Sequence, residues 1–132
     1  MKSQKLGTFE NPHVKSIINT PSRPYLSWLK NGEKTAEGRI NSPAWKKITV
    51  GDWLMLKDSK TDEYLLGIVS FKHEYKIFKE MLLTEGVSNM LPFLNADALE
   101  EGIKVYESFP GAERIQTFGC VAVGIKTTIN SF

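Results

Sequence analysis

Cysteine is nearly absent from the chain: Cys120 is the only one in 132 residues. That excludes an intrachain disulfide and a cysteine-rich zinc site, and it fits a reducing compartment. Histidine is almost as scarce. His13 and His73 stand apart, with no metal-ligand spacing and no Cys or Asp partner near either, so both read as surface residues and no metal is expected. No apolar run approaches the length needed to cross a bilayer. Residues 1–13 carry Lys2 and Lys5 without an apolar stretch, which argues against a secretory signal and reads as an N-terminal extension. The expectation is a soluble intracellular protein, cytoplasmic or nuclear, with no membrane partner. Phosphate-binding loops of the Gly-x-x-x-x-Gly-Lys-Ser/Thr kind, nucleophile elbows and dinucleotide fingerprints are missing as well, and no cofactor is expected.

What is present suffices for one domain, expected to span residues 1–132. With 41% hydrophobic and 24% charged residues, a chain of this length can bury a real core and is too short for two ordinary domains. The net charge is only +2, below the strongly basic balance of a dedicated nucleic-acid domain. It is unevenly spread. Residues 1–47 hold nine Lys/Arg against three acids, and the remainder eight against twelve, so the two parts carry +6 and −4. A surface polarised this way favours a phosphate-bearing ligand on one side, although solvated lysines with no partner would give the same count.

The order of elements follows from periodicity. Val14 to Ile18 reads as a short strand. Tyr25, Trp28 and Leu29 share one face of a helix that follows Pro24 and stops at Gly32. Trp53 to Lys57 and Tyr64 to Phe71 form a hairpin across the polar turn at residues 58–62. The second of these strands is apolar on both faces and should lie centrally. Tyr75, Phe78 and Leu82 share a helical face that ends at Glu85-Gly86. A further helix begins near Asp97, with Glu100 as a capping-box partner and Leu99, Ile103 and Tyr106 turned inward, and ends before Pro110. In Gly119 to Ile125, Val121, Val123 and Ile125 alternate with Cys120, Ala122 and Gly124, as a barrel-filling strand requires. The class is α+β, mainly β: a small barrel with peripheral helices.

The most informative stretch is NGEKTAEGRINSPAWKKITVGD, residues 31–52. From Lys34 to Ile40 it alternates with a strand's period of two. Thr35, Glu37 and Arg39 fall on one face, and Ala36, Gly38 and Ile40 on the other, where another backbone could approach closely. Ser42-Pro43 then starts a single helical turn carrying Trp45, Lys46 and Lys47. Lys34, Thr35, Glu37 and Arg39 place four polar groups within six residues, costly inside a barrel unless paired or facing a cleft. Glu37 and Arg39, about 7 Å apart along a strand, can bridge each other, bracing the barrel mouth, or share a ligand. Of the nearby aromatics, Trp28 and Trp53 sit in apolar patterns and read as core. Trp45 and Tyr25, beside the cations, could stack on a base or simply pack.

Gly32, Lys34, Thr35, Glu37 and Arg39, then Trp45, then Gly51 and Asp52 before a hydrophobic strand resemble the signature of the ASCH domain. Glu100-Glu101-Gly102 followed by Val105-Tyr106 is similar to its eukaryote-type members, so the likeness runs over residues 24–126. The resemblance implies a compact barrel with a PUA-like fold. It also implies membership of a family that spans RNA-associated modules and small hydrolases. The bacterial amidohydrolases among them, which deacetylate a modified cytidine, use a lysine in this motif, a threonine three positions on and a distal glutamate. Lys34 matches the lysine, but Glu37 stands where the threonine would be. Thr35 has the wrong strand parity, and Glu100 and Glu101 read as cap and surface residues. Lys34 and Glu37 are nevertheless the candidate catalytic pair. The expected function is an RNA- or nucleotide-binding module whose ligand site comprises Lys34, Thr35, Glu37, Arg39, Trp45 and Tyr25. The alternatives are a small hydrolase, amidohydrolase or ribonuclease, and a protein-interaction module with a partner in transcription or translation.

Overall fold

The computed structural model describes residues 14–20 and 24–127. The expectations for residues 1–13, including His13, lie outside them. Five strands form one curled sheet: β1 (Val14–Thr20), β2 (Ala36–Ile40), β3 (Trp53–Asp58), β4 (Tyr64–Tyr75) and β5 (Cys120–Thr127), in the order β1-β3-β4-β5-β2. Only β1 and β3 run parallel; the other neighbours are antiparallel. Six helices lie around the sheet among the described residues: α1 (Tyr25–Asn31), α2 (Pro43–Lys46), α3 (Phe78–Glu85), α4 (Val87–Met90), α5 (Leu99–Glu107) and α6 (Ile115–Phe118), with a 3-10 turn at Ala112–Arg114. The architecture is a small α+β half-barrel. No helix among the described residues is long and apolar enough to cross a membrane.

Alternation decides how the sheet is filled. In β3, Leu54, Leu56 and Asp58 are buried and the residues between them are half-exposed. β5 is buried on both faces, and its two residue sets serve two cores. Val121, Val123 and Ile125 join Leu54, Leu56, Leu65 and Val69 inside the curl with Leu26 and Leu29 of α1. Cys120 and Ala122 face Phe78, Met81, Leu82 and Tyr106 of the helical layer. β4 is the central strand, as its two apolar faces require.

Two element boundaries differ from expectation. Tyr75 does not begin a helix: it ends β4, because β5 offers backbone partners as far as Cys120 and the ladder outweighs the helical spacing of Tyr75, Phe78 and Leu82. The helix near Asp97 starts at Leu99 after Ala98, without a side-chain cap. The helix expected to stop at Gly32 does so, because Gly32 adopts the left-handed conformation (φ 86°) that ends the chain's helical path.

β1 and β2 are the two edges of the sheet, and one side chain laces them. Arg39 of β2 donates from Nη2 to the Asn19 carbonyl of β1 at 2.8 Å. The curl is therefore closed at that seam by a guanidinium rather than by a backbone ladder. The functional candidates lie along it.

Candidate functional site

A cavity of about 390 Å³ opens along the β1/β2 seam, lined from both faces of β2. Its floor holds a buried charge network. Glu37, 4% exposed, accepts from Arg39 through Oε2 at 2.7 Å (Nη2) and 2.9 Å (Nε), and its Oε1 lies 3.7 Å from Lys34 Nζ. Lys34, 2% exposed, also donates to the Met90 carbonyl, and its ammonium stands 5.2 Å from the centre of the Tyr25 ring. One carboxylate thus serves two cations. Strand parity explains the first half of this network, because Glu37 and Arg39 are two apart on β2. Lys34 escapes parity because the strand begins only at Ala36.

The same offset separates Thr35 from its neighbours. Its backbone N–H donates to Asn89 at 2.9 Å instead of to β5, and its side chain is exposed and does not line the cavity. Of the six residues expected at the site, Lys34, Glu37, Arg39, Trp45 and Tyr25 are brought together, and Thr35 is not. Trp45 packs and lines at once: it is 6% exposed within the inner core, and the Arg39 guanidinium lies 5.5 Å from its ring centre. Tyr25 is buried edge-on to Trp28.

The turn carrying Trp45 is held from outside the motif. Ser42 and Pro43 start α2 as expected, but Ser42 makes no side-chain cap. Lys72 of β4 instead gathers the carbonyls at the other end: Trp45 at 2.9 Å, Ile48 at 2.8 Å and Lys46 at 3.4 Å. A cation at a helix C-terminus satisfies acceptors that would otherwise be left without donors. Lys72→Met is expected to lower stability by about 1 to 3 kcal/mol, read as a shift in the urea midpoint; an unchanged midpoint would show that the turn stands without it.

The other wall comes from residues that sequence reading did not assign to the site. Tyr106 of α5 lies against Gly38, where its ring and hydroxyl fill the space a β-carbon would need. The small face of β2 thus admits an aromatic ring, not the backbone expected there. Phe109, Pro110, Ala112 and Arg114 continue this wall, and Asn19 and Thr20 close the seam from β1. Glycine at position 38, facing away from Glu37, was the one sequence signal for a close approach; nothing local identified Tyr106 as the residue that makes it.

His73 is exposed, as expected, but not isolated. It stacks on Phe71 and sits 2.7 Å from the Glu85 carboxylate, which also accepts from Tyr75. Glu100 and Glu101 are exposed on α5. Among the described residues no cluster of His, Cys, Asp and Glu could hold a metal.

Burial pulls the Lys34 pKa down to about 8; Glu37 opposes the drop and Arg39 adds to it. In the unfolded chain the same lysine would titrate at about 10.4. Between those values the unfolded state binds more protons, so this residue makes stability rise with pH. Cys120, pushed by burial up to about 12, works in the opposite sense once its unfolded counterpart ionises. Comparing slopes between wild type and Lys34→Met over pH 8 to 9 cancels the cysteine. Wild type is expected to gain roughly 1 kcal/mol more than the variant over that unit; parallel pH profiles would show that Lys34 stays charged in the fold.

A family model for the ASCH domain matches residues 22–102. Among solved structures, the crystal structure of hypothetical protein PH0355 is 33% identical with a TM-score of 0.74, over 85% of this chain and 97% of that one. The solution NMR structure of protein PF0455 from Pyrococcus furiosus is 30% identical with a TM-score of 0.65, over 84% of this chain and 96% of that one. No curated protein matches the chain. The matched span takes in more than half of the sequence and contains Lys34, Glu37, Arg39 and Trp45, and the chain belongs to the ASCH-domain family.

Proposed function

We propose that the chain binds RNA or a nucleotide-like ligand in the cavity along the β1/β2 seam. One observation carries this reading: aromatic rings, cations and a single carboxylate converge on one cavity of small-molecule size. Rings offer faces for a base, cations attract phosphate, and a carboxylate that retains free lone pairs can accept a hydrogen bond from a base amino group. The ASCH family, linked to RNA, points the same way. Lys34 and Arg39 are each already engaged by Glu37, so few phosphates can be contacted and affinity should be modest.

Fluorescence anisotropy with a short labelled single-stranded RNA tests this. Binding is expected to weaken on raising salt from about 50 to 500 mM, with a log–log slope of roughly −0.7 per phosphate contacted. Affinity that is tight and indifferent to salt would remove the phosphate part of the reading.

A second reading has its own support. A lysine held near pKa 8 in a cavity is neutral part of the time at physiological pH and can accept a proton, with Glu37 orienting it. A small hydrolase acting on a modified nucleoside would use Lys34 in this way. Turnover of an acylated nucleoside that is abolished by Lys34→Met would establish it, and binding without turnover would leave the module reading alone.

A further inference from the structure

The cations lining the cavity are not equivalent. Lys34 and Arg39 sit on its floor or seam, and both are committed to Glu37 and to backbone carbonyls. Arg114 differs. It is exposed at the cavity mouth, its Nε donates to the Gly111 carbonyl at 3.1 Å, and no carboxylate pairs with it among the described residues. That single bond fixes the guanidinium's root while leaving its terminal nitrogens available, and a guanidinium held this way is suited to bind phosphate in bidentate fashion. Deeper in, Tyr106 is 3% exposed as a residue, and its hydroxyl borders the cavity beside Gly38 with no hydrogen bond among the described residues. A hydroxyl at a cavity wall without a protein partner is suited to meet a ligand atom.

From this arrangement, which rests on the nucleotide reading of the cavity, we infer that the ligand is a single mononucleotide. Its base enters between the aromatic walls towards Tyr106 and Glu37, and its phosphate is held at the mouth by Arg114. A cavity of about 390 Å³ lies at the small end of ligand-site volumes, enough for one planar group and its substituent and not for a strand. Phe109, Pro110 and Arg114 lie beyond residues 22–102, so phosphate selection comes from a part of the chain outside the family match.

The test is calorimetric titration of the full chain with the four ribonucleoside 5′-monophosphates, the matching nucleosides, inorganic phosphate and a short RNA. At least one monophosphate is expected to bind tenfold or more tightly than its nucleoside. That preference should vanish in Arg114→Gln and return in part in Arg114→Lys, both with wild-type melting. Equal affinity for nucleoside and nucleotide, a preference that survives Arg114→Gln, or competition by inorganic phosphate as strong as that of the nucleotide would each overturn the inference. RNA that binds while every mononucleotide fails would overturn it too, and would leave the broader reading standing. Failure of all of them would remove both.

Discussion

Glu37→Gln is expected to lower the stability of the fold by about 3 to 5 kcal/mol, the loss seen when a buried ion pair is deprived of one partner. The carboxylate is 4% exposed and is the anion for both Lys34 and Arg39. Glutamine keeps the shape and one acceptor oxygen but leaves the buried Lys34 ammonium beside the partly exposed Arg39 guanidinium with no counter-charge between them. In a domain of this size the shift in melting temperature should be on the order of 10 to 20 °C. Removing the second charge as well, in Glu37→Gln with Lys34→Met, should recover part of the loss, because an apolar side chain in that place no longer needs a counter-charge. If Glu37→Gln melts within a few degrees of wild type, water reaches the network and its burial is less complete than the geometry implies. Ligand binding is expected to fall with Glu37→Gln as well, since bracing the seam and facing the cavity are done by the same atoms.

Gly38→Ala should have the largest effect on binding of any single methyl addition. A β-carbon there would stand 2.6 Å from the Tyr106 hydroxyl and 2.8 Å from two ring carbons. Tyr106 cannot swing aside cheaply. It is 3% exposed, stacked on Phe78 at 5.5 Å and edge-on to Phe109 at 5.7 Å. The strain should cost about 1 to 3 kcal/mol, typical of overpacking, and the displaced ring would reshape the wall that carries Phe109 and Arg114. Loss of binding with only modest destabilisation is the expected pair of results. Adding Tyr106→Phe removes the hydroxyl contact but not the ring contacts, so only part of the stability should return. Unchanged affinity in Gly38→Ala would separate α5 from the site.

The strands and the local half of the site were legible in the sequence because their determinants are local. Period-two alternation identified β3, β4 and β5, and it placed Glu37 and Arg39 on one face, where they do bridge. Burial on both sides of β5 follows from alternating valines and small residues. What stayed hidden depends on distant pairing. Tyr75 reads as helical until β5 claims its backbone, and Thr35 reads as a site residue until Asn89 fixes the chain just before β2 begins. Lys72 and Tyr106 reach the site from 24 or more residues beyond the carbonyls or glycine they touch, Arg114 lines it from a late part of the chain, and no periodicity announces such placements.

The most direct measurement is an amide NMR titration of the isotopically labelled protein with nucleotide and with short single-stranded RNA. Saturable shifts are expected at Gly38 and Arg39, at the Trp45 indole N–H and across residues 109–114, all of which line the one cavity or border it. Shifts confined to exposed lysines such as Lys46, Lys47 and Lys60, or no saturable shift at the seam, would contradict a ligand site there and leave the Lys34-Glu37-Arg39 network as a brace for the half-barrel.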